Sequence, residues 1–259
     1  MLFRRYFFSL FLSATLIVVA CQHKAGVTGI DIGYVEMNKK ELQYDSATDK
    51  ILKPYKDSLD KLMNVIVGHT DVPMPKERDK GETLLGNFVA DICLKRIISM
   101  DNKSPDVSGI LCLFNNGGLR SSLPKGDITR GNIFELMPFD NELVILTLSG
   151  EKVKQLIRYV AMSGGQPMAG MKLGINPDKT PATVFIGTQK FDSTKTYHVI
   201  TSDYLASGGD KMDFFKNPIK VQTTGILIRN AIMDYCIAET AKGNTLTAKL
   251  DGRFYYEAK

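Results

Sequence analysis

The chain has 259 residues, 44% of them hydrophobic and 24% charged, an ordinary globular composition with ample length to bury a core. Its formal charge of +5 falls to +3 once Arg4 and Arg5 are set aside with the leader that holds them, and no basic run interleaves with aromatics. That balance argues against nucleic acid as the main partner, and the absence of any C-x-x-C spacing argues against a zinc knuckle or a thioredoxin-like redox site.

Residues 1–20 predict a signal peptide: Arg4 and Arg5 form the charged start, and an apolar stretch follows over 7–19. The run Val18-Val19-Ala20-Cys21 resembles the lipobox of bacterial lipoproteins, where cleavage precedes a cysteine that then carries a diacylglyceryl group. Several acyl chains anchor durably where a single chain is marginal, and the apolar run is short for a span of roughly 20 residues. The expected organisation is a leader (1–20), a tether (21–29) and one domain (30–259). Lipidation at Cys21 would hold an exported chain at a membrane, and Gln22 after it fits the periplasmic side of an outer membrane.

Residues 30–37 predict a strand. The segment 45–63 suits a helix through Ile51, Tyr55, Leu59 and Leu62, with Pro54 marking its first turn or a kink. Charges and two prolines over 71–80 predict an exposed loop. A second helix starts near Thr83 as N-cap, with Leu85, Phe88, Val89 and Ile92 on its apolar face. An apolar strand over 109–114 stops at Asn115-Asn116-Gly117-Gly118. A strand over 143–148 leads into a helix with Val153, Leu156, Ile157 and Val160 inward, ended by Gly164-Gly165. Short strands follow, including 184–186 and 197–201, and a last helix is expected over 224–241. Strands and helices without regular βαβ alternation predict an α+β fold, a mixed β-sheet packed with helices.

Three segments at strand ends combine residues suited to a ligand. Asn115 to Arg120 offers glycines for close backbone approach, an amide to read a base edge and a guanidinium to fork onto phosphate. Pro138-Phe139 presents a ring just before a strand, where the plain expectation is a core residue. In Ser202 to Asp210 a tyrosine precedes an aspartate by six residues, a pattern that also suits a solvated Gly-Gly turn.

Taken together and in order, these segments resemble the C-terminal domain of 5'-nucleotidases, also called UDP-sugar hydrolases. Further matches are the stretch from Glu82 to Asp91, Gly126-Asp127-Ile128-Thr129, the strand exit Leu146 to Gly150, Gly170 to Leu173, and Asp251-Gly252-Arg253-Phe254. The resemblance implies that Phe139 and Tyr204 sandwich a nucleobase, Tyr204 standing where better-known members carry Phe. It implies that Asp210 accepts from the ribose hydroxyls, that Asn115 and Gly118 lie beside the base, and that Arg120 faces the phosphate. A second phosphate-facing arginine has no direct counterpart; the nearest cations are Lys80 and Arg78. It also implies a Cys93–Cys112 disulfide, with Cys236 a buried thiol.

In that family hydrolysis belongs to a separate metallophosphatase domain built on two metal ions. Here the histidines are His23, His69 and His198, without the companion ligand segments, and no P-loop or Ser-His-Asp arrangement substitutes. The expectation is therefore a chain that binds no cofactor itself, with divalent metals on a partner metallophosphatase. The ligand would be a nucleoside or nucleotide; a non-catalytic capture or sensing lipoprotein, or a structural lipoprotein with a vestigial pocket, is the competing reading.

Overall fold

The computed structural model describes residues 45–77, 81–100 and 109–257. The expected leader, Cys21, the tether, the strand over 30–37, and Arg78 and Lys80 lie outside the described residues.

Helix α1 (Ser46–Met63) forms on the predicted spacing, yet none of its residues is buried, and Ile51, Tyr55, Leu59 and Leu62 stay exposed. Pro54 lies in its interior and not in its first turn. From Ile51 onward the described residues form one compact unit. β1 (Ile66–Thr70) pairs antiparallel with β3 (Gly126–Thr129) as a two-stranded sheet. The expected exposed loop between β1 and the second helix is only partly so. Met74 is fully buried and exchanges backbone hydrogen bonds with Leu123, whereas Val72 in the same loop stays exposed.

Helix α2 (Leu84–Met100) begins at the expected cap, where the Gly86 amide donates to the Thr83 hydroxyl at 3.0 Å. It packs on β2 (Ile110–Leu113) and on the final helix, its Phe88 meeting Tyr235 edge-on at 6.1 Å. After β3 comes the short helix α3 (Arg130–Leu136), capped reciprocally by Thr129 and Asn132. β4 (Glu142–Ser149) and α4 (Gly150–Met162) follow as expected. β5 (Met168–Ala169), β6 (Met171–Ile175), β7 (Pro181–Ile186), β8 (Gln189–Lys190) and β9 (Thr196–Ser202) are the short strands of the second half. A single-turn helix α5 (Asp203–Ala206) precedes β10 (Lys220–Leu227), α6 (Ile228–Ala241) and β11 (Phe254–Tyr256). The helix expected from 224 thus starts at Ile228; the residues before it pair with β4 as an edge strand whose exposure hides the usual alternation.

The main sheet has the order β10-β4-β9-β2-β5, and a second sheet the order β11-β6-β7-β8. Both contain one parallel pair in an otherwise antiparallel setting, β2 with β9 and β11 with β6. This is the expected α+β class.

The family-like stretches at the two ends of the domain meet around Arg253. Its guanidinium, about 10% exposed, donates to Asp91 at 2.7 Å, to Asp251 at 2.8 Å and to the Met168 carbonyl at 2.8 Å. Beside it the Glu82 carboxylate accepts from the Asn87 amide at 2.6 Å and from the backbone of Asp251 and Gly252. Bonds to Arg253 hold the Asp251 carboxyl below its ordinary value of 3.8. The expected Cys93–Cys112 bond is not formed: Cys93, Cys112 and Cys236 are all buried free thiols. Burial pushes all three thiols up, Cys236 to about 12, and Cys112 is raised further by Cys93 beside it.

Arg253→Ala is expected to lower unfolding stability in urea by about 2–3 kcal/mol, since a nearly buried charge network loses its cation while two carboxylates keep partial access to water. Asp251 is depressed in the folded state, so its contribution is present above its unfolded pKa and fades on acidification. The gap between wild type and variant should therefore hold at neutral pH and shrink as pH falls below about 4. In a Cys21→Ser protein, a thiol reagent should find the three remaining thiols inert at neutral pH and all reactive in guanidinium.

Candidate functional site

Strand pairing decides which segments meet. β2 runs parallel to β9, with Ile110 opposite His198 and Cys112 opposite Ile200, so the segments leaving these two strands emerge on one side. β4 runs antiparallel to β9, with Leu143 opposite Ser202, so the segment entering β4 arrives on that same side. Segments 115–120, 137–141 and 203–210 therefore converge. Asn115, Gly118, Arg120, Phe139, Tyr204 and Asp210 all line one cleft of about 340 Å³, joined by Gly117 and Asn141.

The first segment is braced from behind. The Asn116 amide donates to Gln166 Oε1 at 2.8 Å, its side chain to the Gly165 carbonyl at 3.1 Å, and the Phe114 amide to the Pro167 carbonyl at 2.9 Å. Its turn is closed by the Gly118 amide on the Asn115 carbonyl at 3.1 Å, and a Cβ on Gly118 would stand 2.7 Å from Asn115 Oδ1. Glycine is what allows the Asn115 side chain to fold over the loop and donate from Nδ2 to Asp210 Oδ2.

Phe139 is 42% exposed and Tyr204 46% exposed. The plain expectation that Phe139 is a core residue fails, because Arg229 pins the segment that carries it at the surface. One arm of this nearly buried guanidinium donates to the Met137 and Phe139 carbonyls at 3.3 Å each, the other reaches Asp140, and the plane lies 4.3 Å from the Phe134 ring centre. The Ile228 amide closes the segment on the Asn141 carbonyl at 2.9 Å. Tyr204 sits on α5, capped by the Ser202 hydroxyl accepting from the Leu205 amide at 3.1 Å. Its ring lies against Gly209, where a Cβ would come within 2.5 Å of it.

Asp210 receives the Tyr204 hydroxyl on Oδ1 at 3.0 Å. Arg120 lies at the rim, its guanidinium 5.9 Å from the Phe139 ring centre and donating to the Gly117 carbonyl at 3.3 Å. Chemically, the cleft offers two solvent-facing rings for a flat heterocycle, a carboxylate with free lone pairs for hydroxyls, and one guanidinium for an anionic group. Sequence reasoning missed Asn141 and Arg229. A cation in the first turn of a helix is electrostatically out of place and would have flagged Arg229, but the misplaced start of α6 concealed that position.

A larger groove of about 640 Å³ runs between α4 and the β6–β7 hairpin, over Ile157, Val184 and Phe191. Size favours it and chemistry does not: it has neither two exposed rings nor a carboxylate and amide paired as Asp210 and Asn115 are.

Two histidines, His69 and His198, fall within the described residues. His69 is exposed on β1, its Nδ1 2.8 Å from Asp127 and its Nε2 3.7 Å from Asp71. His198 on β9 shares a hydrogen bond with the Thr147 hydroxyl at 3.2 Å. Among the described residues no group of three or more His, Cys, Asp or Glu is arranged to hold a metal ion. His69 meets two carboxylates and no second imidazole among the described residues, too few ligands for a dinuclear phosphatase centre.

Comparison with known proteins gives this geometry a setting. The family model described as "5'-nucleotidase, C-terminal domain" matches residues 66–217. The chain is 30% identical over 224 residues to the trifunctional nucleotide phosphoesterase protein YfkN of Bacillus subtilis strain 168, covering 78% of this chain and 14% of that protein. It is 25% identical over 189 residues to protein UshA of Escherichia coli K12, covering 71% of this chain and 33% of that protein. The 5'-nucleotidase precursor of Thermus thermophilus shares the fold, with a TM-score of 0.67 at 24% identity over 82% of this chain and 43% of that one. The chain thus spans less than half the length of each of these relatives.

Arg229→Met should cost about 2–4 kcal/mol, because it strips a charged donor from two carbonyls and one carboxylate. Hydrogen exchange would show the Ile228 amide losing protection in that variant well before the amides of β9 do.

Proposed function

The chain belongs to the 5'-nucleotidase C-terminal domain family, and on that premise we propose that it is the nucleotide- and nucleoside-binding part of a 5'-nucleotidase-type phosphohydrolase. The observation that carries this reading is the pair of exposed rings, Phe139 and Tyr204, in one cleft with Asp210. A purine or pyrimidine stacks between the rings whatever its edge pattern, Asn115 reads that edge, Asp210 accepts from the ribose hydroxyls, and Arg120 faces the phosphate. Hydrolysis, in this reading, is performed by a metallophosphatase on a separate polypeptide, which holds the divalent metals and acts with this chain in nucleotide catabolism. The chain itself is exported and held by a lipid on Cys21 at the periplasmic side of an outer membrane.

A second reading is capture of nucleosides without catalysis. It is favoured by the cation count: Arg120 is the one cationic residue lining the cleft among the described residues, a thin counter-charge for a phosphate monoester.

Calorimetry with adenosine and AMP tests the reading. Wild type should bind both, Phe139→Ala should weaken each by about 1–3 kcal/mol through lost stacking, and Asp210→Ala should weaken each by a similar amount. AMP binding more tightly than adenosine supports the phosphohydrolase, adenosine binding at least as tightly supports capture, and binding of neither contradicts both.

A further inference from the structure

Asp210 stands in the left-handed region, at φ 52° and ψ 32°, and Lys211 after it has φ 63°. Two successive non-glycine residues in that region are costly, and such conformations persist where the surroundings impose them. Two phenols hold Asp210 here, one on its side chain and one on its backbone. From the cleft side, the Tyr204 hydroxyl donates to Asp210 Oδ1 at 3.0 Å. From the far side, the Tyr159 hydroxyl on α4 donates to the Asp210 backbone carbonyl at 3.1 Å. Tyr159 is outside the cleft wall and is itself held by Phe214, ring edge to ring face at 5.5 Å. With Asn115 on Oδ2, each carboxylate oxygen has one accepted bond and keeps a further acceptor site. A vicinal diol needs that arrangement: two adjacent oxygens, each with room for one O–H, at a fixed angle.

We propose that Tyr159 and the Tyr204 hydroxyl bracket Asp210 and preset its carboxylate for the vicinal diol of a ribose, so that the cleft's preference for a nucleoside over a free base depends on these two hydroxyls. The proposal rests on the nucleoside reading of the cleft. Tyr204 then has two separable functions: its ring faces the base, and its hydroxyl, through Asp210, governs the sugar. Tyr159 is a positioning residue that never meets the ligand. Its hydroxyl stays protonated at neutral pH, since burial and then the Asp210 charge push it above the ordinary tyrosine value.

The test is titration of the full chain with adenine, adenosine and 2',3'-dideoxyadenosine. Wild type should bind adenosine more tightly than either of the others. Tyr204→Phe and Tyr159→Phe keep both rings, so each should leave adenine binding unchanged and weaken adenosine by about tenfold, the usual worth of one hydrogen bond to an anchored charge. In an Asp210→Ala background neither substitution should weaken adenosine further, because the hydroxyls act through that carboxylate. Equal loss for adenine and adenosine, or the same loss persisting in Asp210→Ala, would mean that the tyrosines merely support the loop and would overturn the proposal. Wild type that binds adenine and adenosine equally also overturns it while leaving the ring pair intact as a base site. Wild type that binds none of the three removes the nucleoside reading with it.

Discussion

The parallel pairing of β2 with β9 is the constraint on which the site depends. These strands are far apart in sequence and must be brought together over an intervening run of helices and strands, at a substantial cost in loop closure. What holds them is burial on both faces: Leu111, Cys112, Leu113, Val199 and Ile200 are all inaccessible to water. The Thr201 hydroxyl adds a buried donor to the Leu113 carbonyl at 2.8 Å, fixing the last residue before the strands diverge. A slip of one residue would turn Thr201 and its neighbours to the opposite face and carry Tyr204 and Asp210 away from Asn115. β4, antiparallel to β9, completes the edge by delivering Phe139.

Around that edge the supports come from behind the cleft. Gln166 and Gly165 brace the first segment, Arg229 the second, and the Ser202 cap with Tyr159 the third. The rings themselves remain in solvent, where large apolar surface is left exposed for a partner or ligand to cover. The Arg253 network has the complementary part to play: it ties the C-terminal strand to the middle of α2, and α2 in turn packs on β2. A change at the chain's end can thus reach the cleft through the helix that positions its first strand.

Much of this was legible in the sequence where one physical signal dominated. The apolar faces of α2 and α4, and the buried runs of β2 and β4, declared themselves by periodicity or by uninterrupted hydrophobicity. Asn115, Gly118, Arg120, Phe139, Tyr204 and Asp210 stood out because glycines, rings and polar groups cluster at strand ends, and because their order resembles a known family. Other features depend on tertiary context. β10 is an exposed edge strand with little alternation, so its residues read as the start of α6. Met74 is one buried side chain in a loop of charges and prolines. Arg229 and Tyr159 act through backbone carbonyls, which carry no residue-specific mark, and the Cys93–Cys112 pair, expected as a bond, remains two thiols. The helical spacing of α1 was plain, whereas the exposure of its apolar stripe was not.

The central claim is that Phe139, Tyr204 and Asp210 form one nucleoside pocket. The most direct measurement is a crystal structure of the chain soaked with adenosine. The account predicts the adenine ring stacked between Phe139 and Tyr204, with the ribose hydroxyls on the Asp210 carboxylate. Adenosine seated in the groove between α4 and the β6–β7 hairpin, or with its ribose turned away from Asp210, would contradict it.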